Sequence, residues 1–280
     1  MVKKILFSVL IVLFSSCMTQ EKLQKRAESQ INEFMSLYNS KWALKEEIRI
    51  PDAKFTLLYI QQQHYSDILT KRVKSNLEKT NSEEQREAIK NNYFQQILKI
   101  NDIQKNIYDF VSEVTTDKDF LYVEGRKFPV KYRKEFLRTF TQETEDSISG
   151  VLSYGNKAYG RIPQPPFFMG ASIILHNEDK LTVIGSENLG LLNLTLSLYE
   201  NTKLSRSDLA SFLRECHEAR EDQILENVAE NFEDLPFRMN SIRFLICGSK
   251  HDFKNNIEKW NEDNPEKKFN LVIHTPKGLR

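Results

Sequence analysis

Thiols, imidazoles and paired carboxylates are the side chains here that could act on a bond. The chain holds three cysteines and five histidines. Cys216 and His217 are adjacent, the residue types of a nucleophile and its base. Neighbours on a helix point about 100° apart, so the two cannot meet as thiolate and imidazole, and a partner has to come from elsewhere in the fold. "CGSKHD", residues 247–252, lies where a strand passes into a helix, and backbone N–H groups there can hold an anion. With one glycine and neither a G-x-G-x-x-G nor a Walker sequence, it reads as a plain turn with Ser249 as the cap. His64, His176, His251 and His274 are isolated in sequence, and none stands in an H-x-x-x-H relation to His217. There is no G-x-S-x-G, and Glu221-Asp222 reads as solvated charge on a helical face. The expectation is therefore no catalytic residue, no metal and no cofactor.

The elements that must position these groups fall into two regions. From Thr19 to about Val114 the chain reads as helix. Leu23, Ala27, Ile31, Phe34, Tyr38 and Trp42 recur at three- and four-residue steps. "RIPDAK" interrupts the pattern, because Pro51 disfavours helix at Ile50. Leu58, Tyr65, Ile68, Leu69, Val73 and Leu77 then form a second stripe. Ser82 starts a third helix, with Gln85 at the reciprocal capping-box position. One stripe per helix suits an antiparallel bundle, and the heptad spacing of a coiled coil is not kept.

Near residue 117 the period changes to two. "DFLYVEG" and "KFPVKYR" read as a strand pair around Gly125, "SIILHNEDKLTVIG" as a hairpin, and "LNLTLSLY" as a strand with one wet face. A helix starts after Ser205, with Asp208 in its first turn. "IRFLICG", a helix carrying Phe253, Ile257 and Trp260, and "FNLVIHT" form a β-α-β ending long enough for parallel strands. The fold class expected is α+β: an N-terminal antiparallel helical bundle over residues 17–115, then a mixed sheet over 116–280 with a C-terminal β-α-β unit. "GRIPQPPFFMG", residues 160–170, is out of place in a sheet and reads as a connector whose Phe167 and Phe168 fold back over the core. Nine glycines and eight prolines argue against low complexity, and 280 residues suffice for a sizeable core.

The first residues carry an address. Lys3 and Lys4 precede an apolar stretch from Ile5 to Phe14, followed by Ser15, Ser16 and Cys17. This order is that of a secretory signal, and ten helical residues span about 15 Å, roughly half a bilayer core. In these residues the chain resembles bacterial lipoproteins, whose lipobox ends in a small residue followed by cysteine. Phe14 departs from the commoner leucine three places before the cysteine. The resemblance implies that residues 1–16 are removed, that Cys17 is the lipid (palmitate-type) attachment site, and that membrane contact is made through this anchor. It also implies, from the lack of Asp after Cys17, the outer membrane facing the periplasm.

Without residues 1–16 the formal charge passes from +1 to −1, since two lysines and no acids leave. Nothing in that balance suggests nucleic acid. In an oxidising compartment the remaining cysteines, Cys216 and Cys247, become a candidate disulfide. Leu209, Phe212, Leu213 and Ala219 surround Cys216 on the helical wheel and turn its thiol toward the core, and the strand from Ser241 returns Cys247 toward it. Three function classes follow. The expected one is a lipid-anchored envelope protein, a non-catalytic binding module or assembly component with a protein partner. The alternatives are an immunity-type periplasmic lipoprotein that binds a toxin, and a hydrolase whose site forms only in three dimensions.

Overall fold

A computed structural model describes residues 20–63, 67–116, 119–127, 170–178, 180–200, 204–230 and 242–279. Cys17 and its signal, His64, residues 128–133 of the expected strand pair and residues 160–169 of the Pro-aromatic stretch lie outside them. The described elements follow in chain order as α1 (Gln20–Leu37), β1 (Trp42–Ile48), β2 (Phe55–Gln62), α2 (Asp67–Glu78), α3 (Glu83–Val114), β3 (Phe120–Lys127), α4 (Ala171–Asn177), β4 (Thr182–Glu187), α5 (Leu189–Glu200), α6 (Arg206–Glu230), β5 (Ile242–Gly248), α7 (Lys254–Asp263) and β6 (Phe269–Pro276).

Six strands form one mixed sheet in the order β1-β6-β2-β5-β3-β4. β2 runs parallel to both β5 and β6, and β3 runs parallel to both β4 and β5. Edge strand β1 is antiparallel to β6, and its pairing shifts register between Leu44 and Glu46. The sheet therefore draws strands from both sides of residue 115.

Helices cover both faces, as a mainly parallel sheet requires. Alternate residues of each strand enter opposite cores. Leu58 and Ile60 of β2, Leu121 and Val123 of β3, and Phe244 and Ile246 of β5 meet Phe34 of α1, Ile107 and Phe110 of α3 and Leu175 of α4. Leu57 and Tyr59, Phe120 and Tyr122, and Leu245 and Cys247 meet Ile224 and Val228 of α6 and Ile257 of α7.

Three expectations are corrected. Residues 42–62, read as helix within a bundle, form β1 and β2. "FTLLYI" is a continuous apolar run whose period cannot separate a buried strand from a buried helix, and its Phe, Thr, Tyr and Ile favour the strand. Of the N-terminal helices, α1 and α3 accordingly pack on one face of the sheet, and α2 packs on α3. The expected hairpin is helix α4 followed by strand β4; buried Gln104 of α3 accepts from the backbone N–H of Ala171 at 2.8 Å and ties the start of α4. "LNLTLSLY" lies within helix α5, whose first turn donates to Asn188 Oδ1 from Gly190 (2.9 Å) and Leu191 (3.4 Å). Leucine is a strong helix former, and Leu191, Leu194 and Leu198 share a helical stripe beneath the two-residue alternation.

Other expectations appear as read. Ser82 caps α3 by accepting from the Gln85 N–H at 3.4 Å. α6 starts after Ser205, and β5, α7 and β6 occupy their expected stretches. β5 and β6 are parallel through β2, which lies between them.

Candidate functional site at the carboxyl edge of the sheet

Parallel sheets collect chemistry at the carboxyl ends of their strands, and the buried polar groups of this chain gather there. In β3 and β5 the paired residues Val123 and Ile246 face the first core. The next residues in both strands, Glu124 and Cys247, therefore point to the α6 side from neighbouring strands. Gly125 follows Glu124 with φ +82°, inside the register shift between β3 and β4, a backbone conformation that glycine adopts freely. From α6, His217, Arg220 and Glu221 descend at three- and four-residue spacing toward the sheet. Arg220, Glu221 and His251 are all buried.

Arg220 is the cationic centre. It donates to Glu187, the fully buried last residue of β4, through both Nε and Nη2, and to Glu124 Oε1 from Nη2 at 2.9 Å. Glu124 Oε2 accepts the backbone N–H of Gly248 at 2.5 Å. His251 lies between two carboxylates, with Nδ1 2.7 Å from Glu221 Oε1 and Nε2 3.4 Å from Glu124 Oε1. A carboxylate oxygen of Glu124, Cys247 Sγ and a ring nitrogen of His251 all lie within 4.8 Å of one another. The Tyr59 hydroxyl donates to the Gly248 carbonyl and sits 3.1 Å from that of His251, and Gln61 Nε2 reaches toward the carbonyls of Ser249 and His251. Phe253 closes the turn in the left-handed region, φ 58°, with its ring packed on Tyr59 and His251. A non-glycine residue holds that conformation only when its surroundings fix it.

Burial opposes a charge on Arg220, and its bonds to Glu187 and Glu124 outweigh that, holding the guanidinium charged. Burial likewise opposes an imidazolium at His251, but Cys247, Glu124 and Glu221 around the ring raise its pKa far above the ordinary value. Burial pushes the Cys247 thiol up to about 12, and the Glu124 charge adds to the effect. His217, whose ring centroid is 5.0 Å from that of His251, is lowered to about 4 by burial and then by the charges of His251, Arg220 and Lys250. Its Nε2 meets the Tyr199 hydroxyl at 3.2 Å, and its Nδ1 is buried without a hydrogen-bond partner.

The "CGSKHD" turn does hold an anion, which is the chain's own Glu124 on the Gly248 N–H. Ser249 does not cap α7; Asp252 Oδ1 accepts from the Lys254 N–H at 3.1 Å. Glu221, read as solvated, is buried against His251, whereas Asp222 beside it bonds Asn256 and Lys259. Cys216 and Cys247 are both buried free thiols, so the expected disulfide is not formed. α6 runs unbroken from Arg206 to Glu230; Cys216 lines a groove against α5, while Cys247 packs in the sheet against Ile224 and Val228. His274 faces Phe110 on the opposite side of the sheet, and His176 lies on α4.

Sequence reasoning missed Glu124, Glu187, Arg220 and Glu221. The spacing of His217, Arg220, Glu221 and Ile224 is the available signal, one helical stripe in which buried Arg220 and Glu221 stand beside the apolar Ile224. Comparison of the chain with protein-family models, with curated proteins and with solved structures returns no match.

Proposed function

We propose that this chain is a lipid-anchored bacterial envelope protein, held through Cys17 on the periplasmic side of the outer membrane, that acts as a non-catalytic binding module. The anchor rests on Lys3-Lys4, the apolar stretch to Phe14 and Ser15-Ser16-Cys17. Among the described residues no helix is long and apolar enough to cross a membrane.

The observation that carries the binding role is an apolar groove of about 510 Å3 between α5 and α6, lined by Leu191, Leu194, Leu198, Leu204, Phe212 and Cys216. Leu194 is 49% exposed and Phe212 45%. Leaving such side chains together in water is costly, and contiguous apolar patches mark contact surfaces. The occupant that suits it is an apolar segment of a partner protein. Crosslinking in the native envelope, with wild type beside the Leu194→Asp, Phe212→Asp double variant, tests this. The expected result is one partner crosslinked by wild type and lost in the variant, with circular dichroism showing the variant still folded. Equal crosslinking of the same partner by both proteins removes the groove from the account.

A second reading, a hydrolase, has one observation in its favour. Cys247, His251 and Glu221 stand in the order of nucleophile, base and orienting carboxylate. Against it, a catalytic thiol needs electropositive surroundings and access, whereas Cys247 is fully buried beside a carboxylate.

A further inference from the structure

We infer that Glu124, Cys247 and His251 form a binding site for a thiophilic divalent cation of the zinc class, with Glu221 as the outer carboxylate that orients His251. The inference stands apart from the groove between α5 and α6 and from the lipid anchor.

The donor set carries the choice of ion. One sulfur, one imidazole nitrogen and one carboxylate oxygen converge from β5, the turn after it and β3. Magnesium and calcium take oxygen ligands, whereas zinc takes this mixture. Distances agree. Zinc bonds of about 2.0–2.2 Å to nitrogen and oxygen, opened to a tetrahedral angle, place the two atoms about 3.4 Å apart. His251 Nε2 and Glu124 Oε1 are 3.4 Å apart. A direct charge-assisted hydrogen bond closes to about 2.7–2.9 Å, the range in which His251 Nδ1 meets Glu221 at 2.7 Å.

The surroundings are those of a metal ligand shell. A ligating imidazole commonly passes its other nitrogen to a carboxylate, and ligating carboxylates are themselves hydrogen-bonded. Glu221 takes Nδ1 of His251, while Glu124 is held by Arg220 and the Gly248 N–H. A dication that binds Cys247 Sγ displaces the thiol proton to water, and His251 binds it through Nε2 as the neutral imidazole. Cys247 and His251 are closed to solvent, whereas the Glu124 side chain is 16% exposed. Entry is therefore past Glu124, and three protein donors leave a fourth position for water.

The test is titration of the full chain in detergent, after chelator treatment, with Co2+ as the spectroscopic probe. The expected result is a thiolate-to-cobalt charge-transfer absorption saturating at one ion per chain and displaced by Zn2+. Cys247→Ser should abolish the absorption, and Cys17→Ser and Cys216→Ser should keep it. Glu221→Gln should weaken affinity about 10- to 100-fold, the effect of losing an outer-shell partner. Circular dichroism establishes that each variant is folded. If Cys247→Ser does not fold, His251→Gln takes its place and should change the band's position and weaken binding at least tenfold. Folded wild type without a thiolate–cobalt band overturns the site, as does a band that survives Cys247→Ser, is unchanged in His251→Gln, or disappears with Cys216→Ser.

Discussion

The carboxylate of Glu124 occupies the backbone N–H of Gly248, where β5 hands over to its turn. The contact crowds any side chain at residue 248, since an added Cβ would stand 3.0 Å from Glu124 Oε2 and the carboxylate would have to give by a few tenths of an ångström. Glu124 cannot swing away freely, because Arg220 holds its other oxygen. Gly248→Ala should therefore destabilise the fold by about 1–3 kcal/mol, the range for overpacking. Urea unfolding checks this, and an unchanged midpoint would show that Glu124 has freedom the contact denies it.

Arg220 pairs with Glu187 and Glu124 at once, and Glu187 is fully buried. Arg220→Met should cost about 3–5 kcal/mol, because it strands carboxylates away from water. Adding Glu187→Gln should recover part of that loss. The double-mutant cycle is the measurement, and additive losses would mean that the two side chains do not act as a pair.

His274 supplies a pH dependence away from the cluster. Burial lowers its pKa to about 4, with Glu47 opposing and Arg49 adding to the shift. An unfolded imidazole titrates near 6.5. Between these values the unfolded chain binds the extra proton, so the His274 contribution is whole above about pH 6.5 and is lost as pH falls through about 4. The difference is about 3 kcal/mol at full effect. His274→Gln should flatten that limb of the stability–pH curve, and an identical slope in both proteins would remove His274 as its source.

Cys17 is the proposed point of lipid attachment. Protein made in its native host should incorporate labelled fatty acid and partition with membranes into detergent, and Cys17→Ser should abolish the labelling. Equal labelling of the variant would sink the anchor.

Much of the C-terminal half was legible because its strands are continuous apolar runs with clear punctuation: "IRFLIC" stops at Gly248 and "FNLVIHT" at Pro276. β2 carries the same kind of run, "FTLLYI", but its helical flanks made the helical reading natural. α5 failed in the opposite sense, since its Leu-polar alternation imitates a half-wet strand while its first turn is set by Asn188. Of the site, the sequence itself places only Cys247 and His251 together, within one turn. Their relation to Glu124 depends on the register of β3 against β5, and their relation to Arg220 and Glu221 on the packing of α6. No local pattern records either.

The position of β2 between β5 and β6 also has a consequence in time. β2 is complete by residue 62, yet its two neighbours begin only at residues 242 and 269. A nascent chain therefore emerges with the middle strand of its sheet bare along both edges until synthesis is nearly finished. Such distant pairings are slow to form, and exposed edges invite association with other chains. For a protein threaded unfolded through an export channel the delay is useful. The sheet cannot close before the last residues arrive, and under the export that the proposed anchor requires this would keep the chain competent for translocation.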